Sequence, residues 1–388
     1  MHQDLSLFAT IAMAVLTALI GGFVARKLRL PTLIGYLVAG LIIGPFTPGF
    51  VASVGAANQL AEMGVIFMMF GVGLHFSLRD LWDVRRIAIP GAILQTTLTT
   101  LAGLGLSQLW GWSIGAGLVL GLSLSIASTV VLLRALTDNG LLNSSHGRVA
   151  VGWLVFEDLA TIVILVMLPV LVNQTGSPLQ SIGVALLKTA VFVGIMIVLG
   201  TRVLSWFLDQ IAHLRSRELF ILAVVALALG SAYIAYELFA VSLALGAFVA
   251  GVVVGESRVH AQVSADVTPF RDFFAVLFFV SVGMVVDPAV VLANLGPVVL
   301  LTLLIVAGKA ILTVALAFVL PGPARTFLVV AAGLSQIGEF SFIVGATGLE
   351  LGLLSAEQYG LILAGSVLSI VLNPLMFRMI PVLEERLR

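Results

Sequence analysis

Apolar stretches of bilayer-crossing length follow one another through all 388 residues, parted only by short charged or Pro/Gly/Asn-rich breaks. A backbone in lipid must satisfy its own hydrogen bonds, and helices do so within one segment, so the fold class is all-α and polytopic. Sixty per cent of the residues are hydrophobic, ten per cent are charged and mean hydropathy is +1.19, outside the range of soluble domains. Cutting at the breaks gives about thirteen transmembrane windows: 5–25, 31–45, 56–74, 87–110, 113–136, 149–172, 181–205, 218–237, 240–255, 269–286, 296–320, 325–348 and 358–380. The first lacks a basic leader and a small-residue cleavage site and ends in Arg26, Lys27 and Arg29, so it reads as a span and not a signal peptide. With the amino terminus outside, 17 of the 19 Lys and Arg residues fall in or beside cytoplasmic loops. Lys188, near the outer face, and Lys309, inside the membrane, are the exceptions. This bias predicts an inner, plasma-type membrane with the carboxyl terminus cytoplasmic and the bilayer as partner.

Several function classes drop out. Net charge is zero with no basic run, which argues against nucleic acid, and no cysteine is present for thiol chemistry. His2, His75, His146, His213 and His260 fall in loops or termini without ligand-like spacing, so no metal site is expected beyond a transported monovalent cation. No phosphate-binding glycine loop and no Ser-His-Asp or zinc motif occurs, so the reading is a transporter without cofactor, not an enzyme.

Two short windows match across half the chain. Ile34-Gly-Tyr-Leu-Val-Ala-Gly-Leu-Ile-Ile-Gly-Pro45 and Leu245-Gly-Ala-Phe-Val-Ala-Gly-Val-Val-Val-Gly-Glu256 are identical at five of twelve positions, at an offset of 211. Val65-Ile-Phe and Val72-Gly-Leu answer Val276-Leu-Phe and Val282-Gly-Met, and at offset 212 Gly121-Leu-Ser123 answers Gly333-Leu-Ser335. Residues 31–172 therefore repeat as 240–380 within a single transmembrane domain, with 181–237 linking them. One copy starts inside and the other outside, so the repeat is inverted, an architecture of secondary transporters with the substrate site near the midplane.

The matched Gly-Leu-Ser segments run into small polar clusters, Leu124-Ser-Ile-Ala-Ser-Thr129 and Gln336-Ile-Gly-Glu-Phe-Ser341, in mid-window. Such clusters signal two discontinuous helices whose crossed breaks expose N–H and C=O groups to an ion. Ser125, Ser128, Thr129, Gln336 and Glu339 are the candidates to line that crossing. Serine and threonine also commonly bond back to their own helix, which competes with that role.

Glu157 and Asp158 stand side by side in the otherwise apolar window 149–172, with Asp158 about nine residues, roughly 13 Å, from its charged end. An intramembrane carboxylate is costly unless paired, protonated or wet, and so marks an ion or proton pathway. Asp158 shifted by 211 or 212 lands on Ser369 or Ile370, and Lys309 shifted back lands on Leu98 or Thr97, so each charge exists in one copy. Lys309 is about twelve residues from either end of its window, too deep for its stem to reach water, and Asp158 is its expected partner. Glu62 lies about a turn and a half from the outer end of its window, where it lines an outward funnel or approaches the ion.

Phe156-Glu-Asp-Leu159, Ala244-Leu-Gly-Ala-Phe-Val-Ala-Gly251, Pro269-Phe-Arg-Asp272, Leu277-Phe-Phe-Val-Ser-Val-Gly-Met284 and Leu334-Ser-Gln-Ile-Gly-Glu-Phe340 together resemble the monovalent cation:proton antiporter-2 (CPA2) family. Phe70-Gly-Val-Gly-Leu-His-Phe-Ser77 and Ser128-Thr-Val-Val-Leu-Leu-Arg134 point to its Kef-type, YbaL-like branch. The resemblance spans the whole chain. It implies an NhaA-like fold, a mobile core of the fourth to sixth and eleventh to thirteenth spans, and a homodimer built on the others. It also implies Asp158 as the ion-binding carboxylate and Lys309 as the membrane lysine of many members. Glu157 stands where relatives often carry Asn, Asp or Gln, which leaves charge stoichiometry open. Kef-type proteins commonly continue into a cytosolic nucleotide-binding domain, and none is expected within these 388 residues.

The expected activity is exchange of potassium, or sodium, for protons, with proton and cation competing for Asp158 while the core moves as an elevator. Two other classes are weighed. A sodium-coupled organic-solute symporter would want a wider polar crossing and no membrane lysine, and a ligand-gated potassium channel would want a filter such as Thr-Val-Gly-Tyr-Gly.

Overall fold

The computed structural model describes residues 2–28, 30–48, 53–75, 78–172, 178–239 and 241–387, and every regular element among them is helical. Among the described residues, eight helices are long and apolar enough to cross a membrane: 7–27, 55–75, 84–109, 145–169, 217–239, 260–284, 295–318 and 356–385. A pair bent by 42°, Leu187–Val198 and Arg202–His213, makes a ninth if taken as one span. The bend sits at a π turn, Met196–Gly200, a common cause of such kinks. The four remaining windows hold shorter pieces. Thr32–Ile43 and Leu243–Gly255 are short helices, whereas 113–136 and 325–348 are each split into two.

The chain forms two compact units, each drawing on both halves of the sequence. One comprises Met1–Val24, Gly35–Phe76 and Ile162–Met284; the other comprises Ala25–Ile34, Ser77–Thr161 and Val285–Arg388. In the first, Val54–His75 packs against both Leu243–Gly255 and His260–Met284. Helices in lipid gain little from hiding apolar surface from one another, so close packing through small residues holds them. Gly73 lies against the Phe248 carbonyl, and Gly251 against that of Phe70. Phe67 stacks on Phe270 and Phe274 at 5.9 and 5.3 Å. Glu62 is exposed on this unit.

In the second unit, Leu78–Leu109 packs on Ile114–Ser125, and Ala324–Leu334 packs on Ala356–Leu387 and Lys309–Ala315. Trp153 is fully buried, its ring lying over Gly91. Leu132, Leu154, Phe327, Val330 and Phe377 complete this core. Every residue from Thr326 to Leu334 is buried, so this half-helix is enclosed by protein all round.

Both splits have local causes. Ile114–Ser125 begins at Ser113, whose hydroxyl accepts from the Ala116 N–H at 3.1 Å, and it ends where Ile126 turns extended. Ser128, also extended, restarts the chain as the cap of Thr129–Asp138, accepting from Val131 N–H at 3.4 Å. In the second split the chain leaves the helix at Ser335 and re-enters at Glu339 after an extended Gly338.

The glycine packing is directly testable. A Cβ at position 251 would strike the Phe70 carbonyl, whereas one at Gly230 would meet nothing within 4 Å. Gly251→Ala is expected to cost about 1–3 kcal/mol. A lowered melting temperature in detergent, beside an unchanged Gly230→Ala protein, is the outcome that checks it.

Candidate ion-binding site

The two splits belong to the same unit and bond to one another. The Gln336 side-chain amide accepts from Ser128 N–H at 3.1 Å and donates to the Ser128 carbonyl at 3.1 Å, while also donating to the Gly333 carbonyl at 3.2 Å. Ser341 Oγ donates to the Ile126 carbonyl at 2.9 Å. Gly338 completes the contact, since any Cβ there would run into the Ser128 side chain. One side-chain amide thus reads both backbone groups of a residue in the opposite break, as a strand neighbour would.

The charged side chains attach to this junction at distinct points. Glu157 is 1% exposed, and its Oε2 accepts from Ala127 N–H at 3.2 Å. Asp158 is 6% exposed, and its Oδ2 accepts from the Thr129 hydroxyl at 3.0 Å. Lys309 is fully buried and donates from Nζ to the Gln336 carbonyl at 3.2 Å. Glu157 and Lys309 are buried in the same cluster, where their opposite charges act on one another.

These placements follow the partial charges of the half-helices. Glu157 lies at the amino end of Thr129–Asp138, where unsatisfied N–H groups favour an anion, and Lys309 meets a carbonyl just past the carboxyl end of Ala324–Leu334. Lys309 itself follows a π turn, Leu304–Gly308, of the kind that often marks functional positions.

The structure brings together Glu157, Asp158, Lys309, Ser128, Thr129 and Gln336. Ser125 is buried, but its hydroxyl bonds back to Leu122 O at 2.7 Å, and its carbonyl takes a 3.3 Å bond from Gln95. The Glu339 side chain lies outside the described residues. Glu62, exposed on the other unit, is not among the junction residues. Gln95, Ser341, Ser366, Ser369 and Asn373 also bond to the breaks and were not singled out in the sequence. The signal that finds them is spacing: 366, 369 and 373 fall on one helix face. Two histidines assigned to separate loops meet in the first unit, with ring centroids 6.1 Å apart. His75 Nδ1 bonds Gly71 O at 2.8 Å and His260 Nε2 bonds Leu74 O at 3.1 Å, so they close the last turn of Val54–His75. Among the described residues no cluster of three or more His, Asp or Glu forms that could hold a metal.

Replacing Gln336 tests the junction. Gln336→Leu keeps the bulk but leaves the Ser128 N–H and C=O without this partner, at about 1–3 kcal/mol per buried orphan. The expected result is a melting temperature several degrees below wild type; an unchanged midpoint would mean that the amide contributes nothing to holding the breaks together.

The family profile described as sodium/hydrogen exchanger, transmembrane, matches residues 15–382. The Escherichia coli (strain K12) protein named "Putative cation/proton antiporter YbaL" is 47% identical over 387 residues, covering 98% of this chain and 69% of that protein. K(+) efflux antiporter 4 of Arabidopsis thaliana is 34% identical across 98% of this chain, which spans 65% of its length. The solved structure of the sodium proton antiporter MjNhaP1 from Methanocaldococcus jannaschii at pH 8 matches with a TM-score of 0.71, over 97% of this chain and 99% of that one. At 16% identity this is a likeness of fold. The chain belongs to the sodium/hydrogen exchanger family and stands among its cation/proton antiporters of the CPA2 type.

Proposed function

We propose that this protein exchanges a monovalent cation, potassium in preference to sodium, for protons, with Asp158 as the group that either ion occupies. The observation that carries the proposal is the buried Asp158 carboxylate on the Thr129 hydroxyl, at the first residue of a half-helix restarted inside the membrane. Removing water from such a site makes binding of either positive ion favourable and binding of neither unfavourable, which is the requirement for exchange. Glu157 is tied to the Ala127 N–H and to the charge of Lys309. In this reading Glu157 and Lys309 hold the junction and tune it, while Asp158 carries the ion. Potassium is favoured because relatives covering almost the whole chain are named K(+) efflux antiporters.

The proposed cycle is an elevator. The helices of 77–161 and 285–388 form one compact unit containing the whole junction, and they carry the bound ion between the two faces. The short and split helices complete thirteen crossings, with the two breaks crossed, the amino terminus outside and the protein a homodimer in the inner membrane.

The test is flux in liposomes holding a pH dye, with potassium, sodium, lithium or choline added outside. Asp158→Asn is expected to reduce cation-dependent proton movement at least a hundredfold while eluting as a folded protein, because the amide keeps the shape but cannot alternate between ions. Normal exchange by that variant would sink the assignment. Glu157→Gln retains an oxygen for Ala127 N–H but deprives Lys309 of its counter-charge. It is expected to keep exchange with its pH profile displaced by half a pH unit or more, and abolished exchange would show the two carboxylates acting as one site.

A further inference from the structure

A second polar stripe meets the breaks from the final helix, Ala356–Leu387. Ser366 Oγ donates to the Ile337 carbonyl at 3.1 Å, Ser369 Oγ accepts from Ile337 N–H at a long 3.4 Å, and Asn373 Nδ2 donates to the Ala332 carbonyl at 2.7 Å. All three side chains are 0–1% exposed. The Ser369 proton is spent on Ser366 O at 2.7 Å, which leaves its lone pairs directed at Ile337.

The inverted repeat gives this stripe a meaning. At offset 212, which also superposes Pro169 on Pro381, Glu157 corresponds to Ser369 and Thr161 to Asn373. Glu157 accepts the N–H of Ala127, two residues before the half-helix that starts at Thr129. Ser369 accepts the N–H of Ile337, two residues before the half-helix that starts at Glu339. The acceptors correspond at offset 212 and the donors at offset 210, each donor standing two residues before its half-helix, with a carboxylate serving one break and a hydroxyl the other.

We propose that Ser366 and Ser369 are positioning residues for exchange: they fix Ile337 so that the adjacent Gln336 carbonyl keeps Lys309 seated beside Glu157. Ser369 is the uncharged counterpart of Glu157. A neutral cap suits the second break, where the group to be held next is the Lys309 ammonium on the Gln336 carbonyl. A carboxylate at 369 would offer that ammonium a rival partner.

This inference rests on the exchange reading for its transport arm, so the experiment has a second arm that needs no transport. In liposomes, Ser366→Ala combined with Ser369→Ala is expected to raise the apparent KM for potassium at least fivefold and displace the pH profile, with the maximal rate within twofold of wild type. Ser369→Thr, which keeps the hydroxyl, restores both. By hydrogen exchange and mass spectrometry, the Ile337 amide is expected to exchange at least tenfold faster in Ser369→Ala, with Ala127 unchanged. Unchanged Ile337 protection overturns the positioning role, as does an unchanged KM and pH profile in the double variant. If wild type moves no cation, the exchange reading fails by itself, and the Ile337 amide still decides whether Ser369 holds the break.

Discussion

Everything at the centre of this molecule depends on one constraint: a helix that stops inside a membrane exposes backbone groups that lipid cannot satisfy. Two helices stop here, and partners for the freed groups come from five directions. At the first break, Gln95 serves the Ser125 carbonyl, Ser341 the Ile126 carbonyl, Glu157 the Ala127 N–H and Gln336 both groups of Ser128. At the second, Asn373 serves Ala332, Lys309 serves Gln336, and Ser366 and Ser369 serve Ile337. An unmade bond of this kind costs about 1–3 kcal/mol. The whole set is therefore of the same order as the marginal stability of an ordinary domain, about 5–15 kcal/mol. The junction cannot be loosened piecemeal, and the buried polar residues of this unit are largely the means of closing it.

Much of this was legible in the sequence. The Gly/Ala/Val segments that match across the chain are sites of close helix packing, as Gly73 and Gly251 illustrate, because packing in lipid depends on small residues. The breaks showed as polar clusters in apolar windows, and the depth of Asp158 and Lys309 followed from counting residues at a fixed rise. Partner choice did not show. Residues 157 and 158 are adjacent on one helix, so only the rotation of that helix decides that Glu157 meets the Ala127 N–H and Asp158 the Thr129 hydroxyl. Rotation is a tertiary quantity. The side chains that serve the breaks from neighbouring helices, Gln95 and Asn373 among them, look in sequence like any polar residue bonding back to its own turn. Ser125 does only that with its hydroxyl. The histidine pair was missed for the same reason, since His75 and His260 are 185 residues apart and meet only through the packing of two helices.

Adjacent carboxylates in a membrane interior repel one another, and the structure shows how the pair is tolerated. Their loads are divided: Glu157 is directed at a backbone N–H and a lysine charge, while Asp158 is directed at a hydroxyl. A backbone N–H can only donate, so the partner of Glu157 at Ala127 cannot change roles. A threonine hydroxyl differs, because it can donate to a carboxylate and can equally turn its lone pairs toward a cation. The proposed exchange needs that difference. In the proposed exchange, Glu157 keeps a backbone partner that can only donate, while Asp158 has in the Thr129 hydroxyl a partner that can donate when the cation is absent and act as ligand when it is present.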